Sequence, residues 1–213
     1  MNNKLVETFV HDVYRGNPRQ YVKYRQAGGN PEDALKPLMN SVFTSLSPDR
    51  FEVLDLGCGY GSSLPKVEFS RYVGVDLSPY LLKLHPFKGR PGVSLIAGDV
   101  RSLNYERYHY NLVLGILVLN YIKDPEQLLK RVRRQNVNFC FVIPNPQFDE
   151  LFAIIYSDGT LVLDLQGLTF AYYHHSLEHI IESVSSVSSC HVVFSDPPSE
   201  KAPSVYTCLH GQW

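Results

Sequence analysis

The sequence predicts an α/β fold with a doubly wound, mostly parallel sheet, and three observations carry that expectation. From residue 51 onward, short apolar runs alternate with helical segments, the pattern of successive βα repeats. The run Val53-Leu54-Asp55-Leu56 enters the turn Gly57-Cys58-Gly59-Tyr60-Gly61, whose glycines permit positive φ and let a ligand approach the main chain closely. Aspartates end three successive runs, Asp55, Asp76 and Asp99, which places them on the carboxyl edge where open α/β sheets bind ligands. Taken alone, the glycines also suit a plain strand-to-helix turn, the weaker of the two readings.

Residues 1–50 place Leu5, Phe9 and Val13, then Leu35, Leu38, Val42, Phe43 and Leu46, at helical spacing, predicting two helices that cover the sheet. The stretch 15–31 between them is dense in glycine, proline and tyrosine. With Tyr14, Tyr21 and Tyr24 it is expected either to form a mobile lid whose phenols reach a ligand or to pack as an amphipathic surface. Asn30-Pro31-Glu32-Asp33 has the cap, proline and acidic first turn of a helix start.

Strands are expected at 51–56, 72–76, 93–97, 111–116 and 138–143. The helix after Gly61 must be short, because Tyr72 follows closely and Pro65 falls near the helix start. The clearest helix is 125–134, with Asp124 as its cap and Arg131, Arg133 and Arg134 at its carboxyl end. After Pro144-Asn145-Pro146 the pattern changes: 152–156 and 160–165 flank Asp158-Gly159 as a hairpin, 169–173 adds a strand, and a helix runs over 176–187. The connection between the last strands, 191–194 and 205–209, is too short for a helical crossover, so these two should pair antiparallel. The chain therefore divides as one domain, 1–213, with a helical lid (1–50), a core (51–143), an insertion (144–175) and a closing helix with two strands (176–213).

A count of 20 Lys and Arg against 21 Asp and Glu gives a net charge of -1, without the basic footprint that nucleic-acid binding uses. Cys58, Cys140, Cys190 and Cys208 form no CxxC pair, which suits reduced thiols in a cytoplasmic protein and predicts no metal site. No apolar run approaches the length of a membrane span.

Asp76 lies 19 residues after Gly57, the interval at which an acidic side chain takes ribose hydroxyls. An adenosine ligand follows, with Asp99 accepting from the adenine amino group and Leu77 and Val100 flanking the base. A dinucleotide fingerprint would place its third glycine at Ser62, whereas here it is Gly61. Asp55 adds negative charge where a pyrophosphate would lie, so a cationic ligand fits better.

These stretches, with Tyr110-Asn111-Leu112-Val113-Leu114 and Val118-Leu119-Asn120-Tyr121 running on to Leu129, resemble in order the motifs of class I S-adenosylmethionine-dependent methyltransferases. The resemblance spans residues 51–143 and implies a Rossmann-like, seven-stranded sheet with an antiparallel last strand, a helical N-terminal lid and a β-hairpin insertion after strand five. It implies S-adenosylmethionine as donor, with the methionine portion at Asp55, Gly57, Cys58, Gly59 and Gly61. By the same resemblance Asp76 takes the ribose, Asp99 and the Val100 amide take the adenine, Gly115 and Ile116 border the amine, and Tyr24 reaches in from the lid. Two departures stand out: Asn111 where the family often has Asp, and Arg133-Arg134-Gln135-Asn136 in place of a glycine turn.

Methyl transfer demands alignment more than fixed catalytic groups. Candidates for acceptor contact or base are His174, His175, Asn120 and, on the lid, Tyr21 or Tyr24, with His174 favoured over His175, although both histidines also suit surface or helix-capping positions. Aromatic residues in the lid and insertion favour a small organic acceptor at oxygen or nitrogen. The alternatives are a protein or RNA methyltransferase, a nucleotide-binding oxidoreductase, or a non-catalytic adenosine-ligand-binding protein of the same fold.

Overall fold

The structure is a computed structural model describing residues 3–26, 35, 39–40, 42–44, 50–61, 68–145, 153–155, 160–165, 168–184, 189–194 and 206–213. The expected helix starts at 30–33 and after Gly61, and the Asp158-Gly159 turn, lie outside these residues.

Seven strands form one sheet: β1 (Phe51–Leu56), β2 (Phe69–Asp76), β3 (Val93–Ala97), β4 (Leu112–Ile116), β5 (Asn138–Pro144), β9 (Ser189–Phe194) and β10 (Tyr206–Gln212). Their order is β3-β2-β1-β4-β5-β10-β9, with β10 antiparallel to both neighbours and β1 to β5 mutually parallel. The strand order reverses between β1 and β4, which opens a crevice at their carboxyl ends.

Both faces of the sheet are buried, which explains apolar runs without polar alternation. Leu54, Leu56, Val113, Phe139 and Phe141 pack on one face with Leu128, Leu129 and Val132 of α4 (Pro125–Val132) and Ile180 and Val184 of α5 (Leu177–Val184). Val53, Tyr72, Leu112, Leu114, Cys140 and Val142 pack on the other with Leu35, Met39 and Val42, which are helical, and with Leu82 of α3 (Pro79–Leu84). Ser78 Oγ caps α3 by accepting from Leu81 N at 3.4 Å.

The stretch expected to form a lid or an amphipathic surface is helical in its described part: after α1 (Asn3–Val10) and a π-helical turn (His11–Gly16) comes α2 (Pro18–Gln26), opened by Pro18 at its first turn. Three expectations are corrected. Asp124 makes no side-chain cap to α4, and that helix stops at Val132, two residues short of the predicted end. Freed from the helix, Arg134 turns its guanidinium to the Tyr108 and Tyr105 carbonyls at 2.8 and 2.6 Å. The insertion is a three-stranded antiparallel sheet, β6 (Ile154–Ile155), β7 (Thr160–Leu165) and β8 (Leu168–Tyr173), of which β6 is shorter than expected.

The two departures from the family pattern have structural reasons. Asn111 locks the amino end of β1, its Oδ1 accepting from Glu52 N at 2.8 Å and its Nδ2 donating to Arg50 O at 3.1 Å. Asn136 adopts φ 63°, the left-handed conformation that asparagine tolerates better than most residues, and so stands in for the glycine before β5.

Candidate functional site

The carboxyl end of β1 leads into a turn in which Gly57, Gly59 and Gly61 all take positive φ, at 69°, 55° and 72°. Gly57 N and Cys58 N donate to Val75 O at 2.8 and 3.1 Å, pinning the turn to the end of β2. The three glycines differ in what they allow. A Cβ on Gly57 would come within 2.8 Å of Val118 Cγ2, and one on Gly61 within 2.9 Å of His85 Nε2, so both are closed by packing. A Cβ on Gly59 meets no described atom within 4 Å, and the same holds at Gly98. Those two positions border open space.

Asp76 ties this turn to the start of α3, Oδ2 accepting from Gly59 N at 2.9 Å and Oδ1 from Ser78 N at 2.8 Å. Each oxygen keeps a lone pair for a further donor. Burial raises the carboxyl's pKa while the two backbone N–H groups oppose the rise. Asp55 lies deeper, 2% exposed, and accepts from Tyr72 Oη at 2.6 Å. Burial, against that hydrogen bond and helped by nearby Asp76, lifts its pKa to about 7.

Asp99 follows β3 and is held by Arg101, with Nη2 to Oδ2 at 2.6 Å and Nε to both oxygens at 3.0 Å. Burial works to raise its pKa, but the Arg101 hydrogen bonds prevail and hold it below the usual carboxylate range. The segment is braced from α4: Arg131 donates to the Arg101 and Leu103 carbonyls, and Tyr105 Oη donates to Val100 O at 2.5 Å. Val100 is buried and Leu77 half-buried. Gly115 approaches Phe141 so closely that a Cβ would lie 2.7 Å from Cδ1, and Ile116, half-buried, ends β4 beside it.

Aromatic rings from four segments meet around Tyr121, in the 3-10 turn Leu119–Tyr121 after β4. Phe9 stacks on it at 6.0 Å, Tyr14 and Tyr172 meet it edge-on at 5.6 and 6.4 Å, and Tyr14 Oη donates to Tyr121 Oη at 3.1 Å. Tyr21 of α2 packs on Tyr14 at 5.0 Å and lies near enough to Asp76 for that charge to help raise its pKa, behind the larger effect of burial. Helix α2 packs against the π-helical turn. It carries Arg25, only 8% exposed, whose guanidinium sits 5.8 Å from the Tyr21 ring and within electrostatic reach of the Tyr60 and Tyr206 phenols. Its Nε has no hydrogen-bond partner among the described residues. Sequence reasoning did not single out Arg25, because the stretch expected to form a lid or an amphipathic surface drew attention to its tyrosines. The Tyr24 backbone belongs to the same helix, but its side chain is outside the described set.

The acceptor candidates separate. His175 Nε2 hydrogen-bonds Ile122 O at 2.9 Å, and burial brings its pKa down to about 4, so the ring is neutral and fastens the insertion to the turn after β4. His174 is half-buried between β8 and α5, where the helix is capped instead by Ser176 Oγ, accepting from His179 N at 3.1 Å. Asn120 is 4% exposed, and its Oδ1 lacks a hydrogen-bond partner among the described residues. An unmet buried acceptor costs roughly 1–3 kcal/mol.

Residues 54–136 match the sequence model of the family described as "Methyltransferase domain". That segment of the chain is similar to a methyltransferase domain. Solved structures similar to this chain include an S-adenosylmethionine-dependent methyltransferase from Mesorhizobium loti (16% identity, 84% of this chain and 98% of that one, TM-score 0.62). Another is an amino pentose methyltransferase from Micromonospora echinaspora, solved with S-adenosylmethionine bound (14%, 91% and 96%, TM-score 0.57). A third is a complex from Haloferax volcanii between the Trm112 methyltransferase activator and a protein described as a putative methyltransferase (12%, 93% and 96%, TM-score 0.65). No curated protein matches the chain in sequence. The matched segment of the chain contains the glycine turn, Asp76, Asp99 and Asn120, and it ends before the insertion. The site fits the family's donor: there is open space over Gly59, acidic groups lie beside it, and a buried guanidinium keeps an unused donor. No described helix is long and apolar enough to cross a membrane.

Proposed function

We propose that this protein moves a methyl group from S-adenosylmethionine to an oxygen or nitrogen of a small-molecule acceptor enclosed beneath its aromatic roof. The observation that carries the proposal is that roof, in which Phe9, Tyr14, Tyr21, Tyr121, Phe170 and Tyr172 from the lid, the post-β4 turn and the insertion form one connected set of ring contacts. Enclosed, largely apolar sites with a few fixed polar groups suit small organic ligands.

When bound, the donor supplies an electrophilic methyl on a sulfonium, so alignment is the protein's main contribution, on the order of 7–11 kcal/mol. Asp76, held by Gly59 N and Ser78 N, accepts from the ribose hydroxyls. Asp99 accepts from the adenine amino group through the lone pairs that Arg101 leaves, while Leu77 and Val100 flank the base. Arg25 takes the donor's carboxylate from above, and Asp55 sets negative charge below its cationic part, beside Gly57, Cys58 and Gly61. Gly115 and Ile116 border the amine. Asn120 Oδ1 accepts from the acceptor's N–H or O–H group, which orients the attacking atom. His174 is the base where the acceptor must lose a proton, a role worth about 10²- to 10⁴-fold. His175 is committed to Ile122 O and positions the segment.

The similarity to an amino pentose methyltransferase supports a small amine- or hydroxyl-bearing acceptor. The similarity to the Haloferax volcanii complex favours a second reading, a macromolecular acceptor with a helper subunit. Methyl-labelled donor and a cell extract separate the two. Label is expected in the small-molecule fraction, lost from it in His174→Ala with donor affinity retained, and RNA affinity is expected to be weak. Label in RNA or protein, with RNA affinity falling steeply as salt rises, would overturn the small-molecule proposal.

A further inference from the structure

Beneath the glycine turn lies a polar chain that the alignment account above does not use. Phe87 N donates to His85 Nδ1 at 3.2 Å, which leaves the ring proton of neutral His85 on Nε2. Nε2 lies 3.2 Å from Tyr72 Oη, and Tyr72 Oη donates to Asp55 Oδ2 at 2.6 Å. All donation therefore runs one way, toward the carboxyl. Tyr72 and His85 are 1% and 3% exposed and are walled in by Phe69 and Phe87, whose rings sit 5.4 and 5.3 Å from Tyr72. The chain also touches the turn. Gly61 has no side chain where a Cβ would meet His85 Nε2 at 2.9 Å, so the early third glycine makes room for it.

Resting on the donor assignment above, we propose that Tyr72 and His85 are positioning residues that fix the Asp55 carboxyl beneath the donor's cationic end and make donor binding release one proton from it.

Asp55 is bonded to Tyr72 from β2, and the other titratable groups that act on it are Asp76 at the end of β2, Cys58 in the turn and Cys140 on β5. Asp76 opposes ionisation; the two buried thiols, whose pKa values are raised, bring no positive charge. His85 is kept neutral by burial, with its pKa lowered to about 4. The Tyr72 hydrogen bond is thus the group that holds the carboxyl's pKa down, near 7. The ammonium group that S-adenosylmethionine and S-adenosylhomocysteine share pairs with the ionised form, so the proton on Asp55 leaves to solvent as the ligand enters. Affinity then rises with pH up to about 7 and is flat above it.

The test is calorimetric titration of the full chain with S-adenosylhomocysteine across roughly pH 5.5 to 8.5, in buffers of differing ionisation heat. The wild type is expected to release one proton per ligand below the break and none above it. Tyr72→Phe should move the break upward by about one pH unit, because a hydrogen bond to the ionised form is lost, while affinity on the alkaline plateau stays within about threefold. A uniform loss of affinity without movement of the break would mean that Tyr72 is merely structural, and would overturn the inference. Asp55→Asn keeps the shape and removes the titrating group, so its binding should release no proton at any pH; persistent release overturns the inference even if Tyr72→Phe does not fold. No binding by the folded wild type at any pH would instead overturn the donor assignment, and this inference with it.

Discussion

Asp76→Ala is expected to weaken S-adenosylhomocysteine binding by about 10²- to 10⁴-fold, since charge-assisted hydrogen bonds are worth roughly 1.5–3 kcal/mol each and the ribose offers two hydroxyls. A second effect adds to the first. The carboxylate is the acceptor for Gly59 N and Ser78 N, so its removal unties the open part of the turn from α3 just where the ligand lies. Asp76→Asn keeps one acceptor oxygen and should lose less. Calorimetry measures the affinity, and thermal melting without ligand shows whether the fold persists. It should, because the raised pKa of Asp76 means that folding already disfavours its charge, and the side chain belongs to neither apolar cluster. An affinity within threefold of wild type would remove Asp76 from the ribose site.

The largest effect on stability is expected at the opposite end of the sheet. Trp213 is 6% exposed, packs on Phe139 and Phe141 at 4.8 and 6.1 Å, and closes the strand pair through Trp213 N to Val137 O at 3.0 Å. Truncating a buried Trp to Ala costs about 3–5 kcal/mol, which for a chain of this length lowers the melting midpoint by roughly 10 °C. Gln212 is in register with Asn138, at the amino end of β5 and away from the carboxyl edge. Donor affinity of Trp213→Ala well below its melting range should therefore match wild type, and differential scanning calorimetry beside ligand titration checks both halves of the prediction.

What the sequence revealed about this site is what lies close along the chain. Asp55, Asp76 and Asp99 each follow an apolar run directly, so counting to the end of the run places them on one edge, and the structure brings Asp76 onto Gly59 as that placement requires. The Asp55, Tyr72 and His85 chain was not legible. Tyr72 sits mid-strand among apolar neighbours and reads as core, and its partners come from β1 and from beyond α3. Arg25 was hidden differently. Glycine, proline and tyrosine density argued for a lid or an amphipathic surface, neither of which marks one arginine as buried, whereas Pro18 opens a helix that buries Arg25. Asn111 and Asn136 looked like departures from a family pattern, yet each does locally what its position needs, one by bonding two backbone groups and the other by accepting positive φ. Acceptor contacts stay the least legible because they converge from α1, α2, the post-β4 turn and the insertion, segments far apart in sequence.

The central claim is that the glycine turn, Asp76 and Arg25 hold a methyl donor and not a dinucleotide. Its most direct test is a pair of calorimetric titrations of the purified chain, with S-adenosylhomocysteine and with NAD. The account predicts one-to-one binding of S-adenosylhomocysteine and no heat with NAD above pH 7, because the third glycine of a dinucleotide site is missing and ionised Asp55 opposes a pyrophosphate. Binding of NAD without binding of S-adenosylhomocysteine would contradict it.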